Sequence, residues 1–227
     1  PHKLGPVFAV SKAFEHISDT EEVIVNYCDF STYWDYEDFL SHTRNRSADG
    51  AIAAYKGFHP HMLGSTNYAF IKQQAQWLES IKEKEPFTND RMSEYASNGT
   101  YYFKNGAILK KYFQQALDND LNVNGEYYVS LVYNELAKDG LKVSVFEIQH
   151  MLQWGTPQDL EEYRYWSNLF TSLGSLDLTI NHHKFNIVVP MAGAGKRFSD
   201  EGYLIPKPMI PVSGSAMIKQ VLKTLGS

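Results

Sequence analysis

The stretch from Asn186 to Val212 limits what this chain can fold into more than any other. Ile187-Val188-Val189 is a short β-branched apolar run, the pattern of a buried strand, and Pro190-Met191-Ala192-Gly193-Ala194-Gly195-Lys196-Arg197-Phe198 follows it. Gly193 and Gly195 permit a tight turn that a Cβ would obstruct, and such a turn aims several backbone N–H groups at one anion. Arg197 and the lysine of Pro206-Lys207-Pro208 add fixed positive charge, which suits a polyphosphate. Two commoner glycine motifs do not fit. A dinucleotide fingerprint starting at Gly193 needs glycine or alanine where Phe198 stands. A Walker loop ending at Gly195-Lys196 needs glycine in place of Pro190 and Ser or Thr in place of Arg197. The plain alternative is a glycine turn with solvated charges, which leaves the co-occurrence of the glycines, Arg197 and Pro206-Lys207-Pro208 to accident.

A chain of 227 residues makes one large or two small domains, and 43% hydrophobic content with 14% aromatic supports a real core. The net charge of -5 and the absence of a Lys/Arg block argue against a general nucleic-acid binder, so positive charge is expected locally, at a phosphate site. No apolar run approaches membrane-spanning length and no signal-peptide pattern opens the chain, so no membrane partner is expected. The single cysteine, Cys28, lies in an apolar run and reads as a buried structural thiol, consistent with a reducing cytoplasm.

Taken in order, Gly5 to Ile17 has helical spacing, and Glu22 to Phe30 is a β-branched run carrying a carboxylate, Asp29. A strand ending in Asp is how open α/β sheets present ligand groups, so Asp29 is a metal candidate; an N-cap or turn role is the alternative. Trp34 to Arg46 predicts an amphipathic helix, Ala51 to Tyr55 a short strand, and Asn67 to Glu85 antiparallel strands. His59 and His61 read as solvated loop histidines. Ser97 to Phe103 pairs a turn with an aromatic strand, Ala107 to Leu117 is helical, and Asn124-Gly125-Glu126 opens a helix over Val129 to Lys138, with Glu126 as its capping carboxylate. Leu141 to Ile148 alternates as a strand, and Gly155-Thr156-Pro157-Gln158-Asp159-Leu160 is a helix start with Thr156 at the N-cap. The His182-His183 pair reads as solvated, and Ala216 to Leu222 begins an amphipathic helix.

Gly193-x-Gly195-x-Arg197-Phe198 followed by Pro206-Lys207-Pro208 resembles the signature of the sugar-phosphate nucleotidyltransferases, the nucleoside-diphosphate-sugar pyrophosphorylases. The resemblance implies an α/β fold: a mostly parallel mixed sheet flanked by helices, Rossmann-like, with a small antiparallel subsheet. It implies a Mg²⁺-dependent transferase of nucleotide-sugar and polysaccharide biosynthesis. Such an enzyme moves a nucleoside monophosphate from a nucleoside triphosphate to a sugar 1-phosphate and releases pyrophosphate. In those terms the backbone of Ala192, Gly193, Ala194 and Gly195 cradles base and phosphates, Arg197 neutralises the leaving pyrophosphate and Lys207 holds the α-phosphate. Asp29 carries Mg²⁺, following Cys28 where the family usually has glycine.

Ile81-Lys82-Glu83-Lys84-Glu85-Pro86 resembles the family's Glu-Lys-Pro turn with one glutamate inserted, which makes Lys84, with Lys82 as its rival, the lysine for the acceptor's phosphate. Asn98 and Gly99 resemble the strand that lines the sugar pocket, and Glu126 the glutamate that accepts from sugar hydroxyls. Hexose-specific relatives carry a second metal-binding Asp just before the segment that Gly155 to Leu160 resembles; this chain has Gln153, a poor Mg²⁺ ligand. That departure keeps open cytidylyl transfer to a small phosphomonoester such as phosphocholine. A catalytically silent nucleotide-binding module is a further alternative; a glycosyltransferase has no use for the glycine signature.

The order of the segments is unusual. In the family the glycine strand comes first; here residues 1–171 correspond to the central and C-terminal part of a catalytic domain, 172–184 to a linker and 185–227 to the N-terminal nucleotide-binding part. The strand, helix and strand expected between these parts have no counterpart. The chain therefore reads as a piece of a tandem protein or as a rearranged one. Its site is expected to form within the chain or by domain exchange in a homo-oligomer.

Overall fold

The computed structural model describes residues 4–64, 67–175, 189, 191 and 195–224. It divides into two units, Pro1–Trp166 and Ser167–Ser227.

The first unit opens with α1 (Gly5–Ser11), a 3₁₀ turn over Phe14–His16, and β1 (Val23–Asn26). β2 (Phe30–Tyr33), α2 (Tyr36–Asn45) and β3 (Gly50–Tyr55) follow, then a second 3₁₀ turn over Pro60–Leu63 and the hairpin β4 (Ala69–Gln74) and β5 (Trp77–Glu83). β6 (Tyr95–Phe103), α3 (Gly106–Asp118), α4 (Val129–Lys138), β7 (Val143–Glu147) and β8 (His150–Gln153) follow, and α5 (Pro157–Ser175) begins in this unit and runs on past Trp166. The helix starts are set by side chains taking up unpaired backbone donors. Asp35 accepts from the N–H groups of Glu37 and Asp38 at 2.9 and 3.2 Å, Asn105 from Ile108 at 2.9 Å, and Thr156 from Asp159 at 3.1 Å.

Six strands form one sheet in the order β1-β6-β3-β7-β5-β4, and β2 pairs with β8 in a separate two-stranded ribbon. The sheet is mixed and flanked by helices, as expected. Its balance differs, because among the described strands only β3 and β7 run parallel. β3 is buried along its whole length and its side chains alternate between two cores. Ile52 and Ala54 join α1, α3 and α4 through Val7, Leu109, Phe113, Val132 and Leu136. Ala51, Ala53 and Tyr55 join Phe39 and Leu40 of α2 on the opposite face. Burying each such large apolar side chain contributes about 1.5–3 kcal/mol, so this central strand is held from both sides.

Several expectations change. β1 stops at Asn26, so Cys28 falls in the following turn and is exposed, not buried in a strand. Ser97 to Phe103 is no turn followed by a strand but the greater part of the continuous β6, in which a register shift against β3 lies opposite Gly99 at φ +99. His59 and His61 are buried, at 4% and 7% exposure, because the 3₁₀ turn folds their rings against Tyr55. Glu126 does not cap α4, whose N-cap is Tyr128 without a side-chain hydrogen bond. α5 runs to Ser175, four residues into the stretch expected as linker. The strand expected at 187–189 lies outside the described residues except for Val189, as do His182-His183 and residues 192–194.

In the second unit, α6 (Lys196–Asp200) follows Gly195, and a 3₁₀ turn over Lys207–Met209 leads to the hairpin β9 (Pro211–Val212) and β10 (Ser215–Ala216). Ser213 and Gly214 both have positive φ, the form a two-residue hairpin loop favours. α7 (Met217–Thr224) follows and is tied back by the Met217 N–H to the Ile210 carbonyl at 2.9 Å.

Candidate active site

The first candidate group gathers at the end of β5 and the start of α4. Successive side chains of a strand point to opposite faces, yet Glu83 and Lys84 reach the same segment. The strand ends at Glu83, and Lys84 takes a left-handed conformation at φ +61 while its N–H donates to the Tyr68 carbonyl at 2.8 Å. Glu83 accepts from the Ser130 hydroxyl at 2.6 Å. Lys84 donates its ammonium to the Tyr128 phenol at 2.5 Å and lies 4.7 Å from that ring's centroid. The Tyr128 phenol in turn donates to the Glu126 carboxylate. Lys82 is engaged elsewhere, with Glu85 at 2.8 Å and over the Phe87 ring, so Lys84 is the inward lysine.

Electrostatics marks the same place. Burial holds the Glu83 carboxyl above the usual carboxylate range and Glu126 adds to this, while the Ser130 hydroxyl and Lys84 draw it back. Burial first, then the Glu126 carboxylate, push the Tyr128 phenol up. Tyr27 and Tyr101 are likewise raised by burial, with Glu83 contributing to both, so the phenols stay neutral in the physiological range. The sequence singles out only the lysines of this segment; for Glu83 the signal is the buried Ile81 two positions earlier on the same face.

Asn98 and Gly99 serve this region indirectly. Asn98 is buried, donating to the Thr32 hydroxyl at 3.0 Å and accepting from the Thr100 N–H at 2.9 Å, so its amide fastens β2 to β6. A Cβ at Gly99 would lie 3.0 Å from Phe30 and 3.2 Å from Tyr27. Glycine is thus needed where the chain carrying Asp29 crosses β6.

Asp29 is exposed in the turn between β1 and β2, and its carbonyl accepts from the Trp154 N–H at 2.9 Å. Gly155 keeps both side chains close: a Cβ on it would come within 2.7 Å of the Gln153 amide nitrogen and 2.9 Å of an Asp29 carboxylate oxygen. Gln153 therefore stands beside Asp29, at the place where the resemblance implies a second carboxylate. The Gln153 amide oxygen and the Trp154 indole nitrogen are buried without a hydrogen-bond partner. Such atoms are rare in folded proteins. Among the described residues no group of three or more His, Cys, Asp or Glu is placed to hold a metal ion, and no helix is long and apolar enough to cross a membrane.

Within the second unit, Gly195 has φ +63, and a Cβ on it would lie 3.3 Å from the Lys207 Cβ. Gly195 and the Pro-Lys-Pro segment are thereby packed against each other. The Lys207 ammonium sits 5.6 Å from the Phe198 ring centroid, and Phe198 meets Tyr203 edge-on at 5.4 Å. Arg197 and Lys207 are both exposed. A cavity of about 290 Å³ is lined by Val189, Met191, Gly195, Lys207, Met217 and Ile218 among others. Ala192, Gly193 and Ala194, expected to cradle phosphates, lie outside the described residues.

No family model matches the chain. The bifunctional protein GlmU of Staphylococcus epidermidis is 28% identical over 148 residues, covering 63% of this chain and 31% of GlmU. The chain thus spans about a third of the length of the curated relatives it matches. Among solved structures, the nucleoside-diphosphate-sugar pyrophosphorylase of Vibrio cholerae RC9 superposes with a TM-score of 0.57 at 19% identity, over 72% of this chain and 66% of that one. A Bacillus anthracis protein described as a glucose-1-phosphate thymidylyltransferase, with sucrose bound, gives 0.54 at 16% identity, over 81% and 65%. The chain has the fold of the sugar-phosphate nucleotidyltransferases. The resemblance carried by the glycine signature is borne out at that level. In this nucleotidyltransferase fold, Lys84, Glu83, Tyr128 and Glu126 form one group, and Asp29, Gln153 and Gly155 form another.

Proposed function

We propose that the chain is a nucleotidyltransferase, transferring a nucleoside monophosphate from a nucleoside triphosphate to a sugar 1-phosphate. An oxygen of the acceptor phosphate attacks the α-phosphorus, a P–O bond forms there, and the bond to the β-phosphate breaks with pyrophosphate leaving. Such a displacement needs positioning and charge neutralisation more than covalent help. The observation that carries this proposal is the group at the start of α4. The Lys84 ammonium donates to the Tyr128 phenol, that phenol donates to Glu126, and Glu83 accepts from Ser130 beside them, within the fold that the Vibrio cholerae pyrophosphorylase also has. The lysine suits a phosphate, and the carboxylates suit hydroxyls, since each oxygen accepts more than one hydrogen bond.

Gly195, Arg197 and Lys207 are assigned to the polyphosphate, Arg197 to the leaving pyrophosphate and Lys207 to the α-phosphate. Ala192, Gly193 and Ala194 share that assignment from the sequence alone. Asp29 fits a Mg²⁺ ion that keeps several waters. It is an exposed carboxylate, and the neighbouring Gln153 has an amide oxygen without a partner, a neutral oxygen donor in place of a second carboxylate. When bound, the ion would neutralise charge on the phosphates; Asp29 would orient it.

The test is pyrophosphate release with each nucleoside triphosphate against a panel of sugar 1-phosphates, with phosphocholine as the competing acceptor, with and without Mg²⁺. Release with a sugar 1-phosphate is expected, lowered about 100-fold by Arg197→Ala. Release with phosphocholine alone would replace the acceptor class. Tight nucleotide binding with no release for any pair would make the chain a silent module.

A further inference from the structure

We infer that Tyr128 is a positioning residue for Lys84: its phenol, anchored on Glu126, holds the ammonium at the place where the acceptor's phosphate arrives. This rests on the proposed function for its catalytic meaning and on geometry alone for the contact. Lys84 follows the last residue of β5 in a left-handed conformation, which an L side chain adopts only when its surroundings impose it. A lysine at such a corner has a long, freely rotating stem, and an unheld ammonium would spend most of its time in water. Three contacts fix it instead. Its backbone N–H is bound to the Tyr68 carbonyl at 2.8 Å, its ammonium donates to the Tyr128 phenol at 2.5 Å, and the Tyr128 ring lies 4.7 Å away with a face that attracts cations.

Tyr128 can do this because its own hydrogen goes to Glu126, leaving the phenol oxygen free to accept from Lys84. Glu126 is placed for the purpose by its turn. Val123 and Glu126 exchange backbone hydrogen bonds at 3.0 and 3.1 Å, and Tyr127 is tied to Leu4 at 2.9 Å. The relay from ammonium to phenol to carboxylate spreads charge without burying an isolated ion. An arriving phosphate, with three oxygens, completes the ammonium's shell beside the phenol.

Tyr128→Phe separates this role from simple packing, since it keeps the ring and removes only the oxygen. In the full chain, acetylation of Lys84 by limiting acetic anhydride, followed by mass spectrometry, is expected to quicken about fivefold in the variant. The KM for sugar 1-phosphate is expected to rise about tenfold, with the KM for the nucleotide and kcat within twofold. Glu126→Gln alone, which keeps an oxygen acceptor for the phenol, is expected to retain most of the protection. An unchanged acetylation rate overturns the inference whatever the turnover. A quickened rate with equal rises in both KM values overturns the assignment to the acceptor. If the wild-type chain turns over no acceptor at all, a quickened rate still supports the contact, and it is the proposed function that falls.

Discussion

Gly155→Ala is expected to separate activity from stability, because the three atoms nearest the methyl group it adds all belong to the Gln153 and Asp29 side chains. The added Cβ would lie 2.7 Å from the Gln153 amide nitrogen and 2.9 Å from the Asp29 carboxylate oxygen, with the Asp29 carboxyl carbon next at 3.5 Å. Ordinary contact at about 3.4 Å requires the oxygen to withdraw by about 0.5 Å and the nitrogen by about 0.7 Å. Both atoms end side chains, so the backbone need not move. Gly155 has no positive φ, and alanine at a compatible site restricts the unfolded chain, which stabilises by about 0.4–1 kcal/mol. The strain of moving two side chains offsets this, and the net change in stability is expected to be within about 1 kcal/mol.

Activity should respond more. A 1 Å misplacement of a positioned group costs on the order of 100-fold, so half that distance at Asp29 should cost roughly tenfold in kcat and raise the Mg²⁺ concentration for half-maximal rate severalfold. Pyrophosphate release titrated with Mg²⁺, beside urea unfolding of the same preparation, reads both quantities. A variant with the wild-type Mg²⁺ titration and rate would refute the placement of Asp29 at the reacting phosphates.

Gly106→Ala is the structural counterpart: its Cβ would fall 2.0 Å from the Ser18 carbonyl oxygen, which is backbone and cannot swing away. A loss of about 3 kcal/mol by urea unfolding is expected, and a loss under about 1 kcal/mol would show that α3 can shift. Acid should destabilise the first unit through its buried histidines. Burial, then the neighbouring His59, lower His61 from an ordinary value near 6.5 to about 4, and His59 and His42 are lowered chiefly by burial as well. Between pH 6.5 and 4 the unfolded chain binds the extra proton, so stability is full above this window and falls as pH drops through it, by about 3 kcal/mol for His61. His61→Gln should flatten the pH dependence of the unfolding midpoint; an equally steep profile would assign the acid sensitivity elsewhere.

The elements that were legible in the sequence are those whose pattern is complete over a few turns. α2 carries its cap at Asp35 and its buried stripe at Phe39, Leu40 and Thr43, and α3 likewise has Asn105 ahead of Leu109, Tyr112 and Phe113. β3 was legible as an uninterrupted run of small and branched residues. Asp29 was legible as a carboxylate after an apolar run, although the strand stops three residues before it. What escaped depends on long-range burial. His150 closes on His59 and Tyr68 on His61, and neither ring marks those histidines locally as anything but loop residues. Glu83 becomes a special carboxylate because the fold buries it, beside Ser130 from 47 positions away. Asn98 looks like a ligand in the sequence and is a fastener in the fold, because Thr32 belongs to a ribbon that local pattern does not announce.

The acceptor side of the proposed reaction has a lopsided charge, and that bears on what it can hold. Lys84 supplies one positive charge against two carboxylates, and the surrounding phenols of Tyr27, Tyr101 and Tyr128 stay neutral because burial raises all three. A quaternary ammonium acceptor would draw on the carboxylates as full charges, yet burial favours the protonated form of Glu83. A hydroxyl-rich acceptor has no such requirement. A carboxylate accepts from its hydroxyls and a carboxylic acid donates to them, while Lys84 meets the phosphate in either case. If the proposed function holds, the burial of Glu83 favours a sugar phosphate over a phosphorylated amino alcohol, through the cost of ionising one carboxyl group.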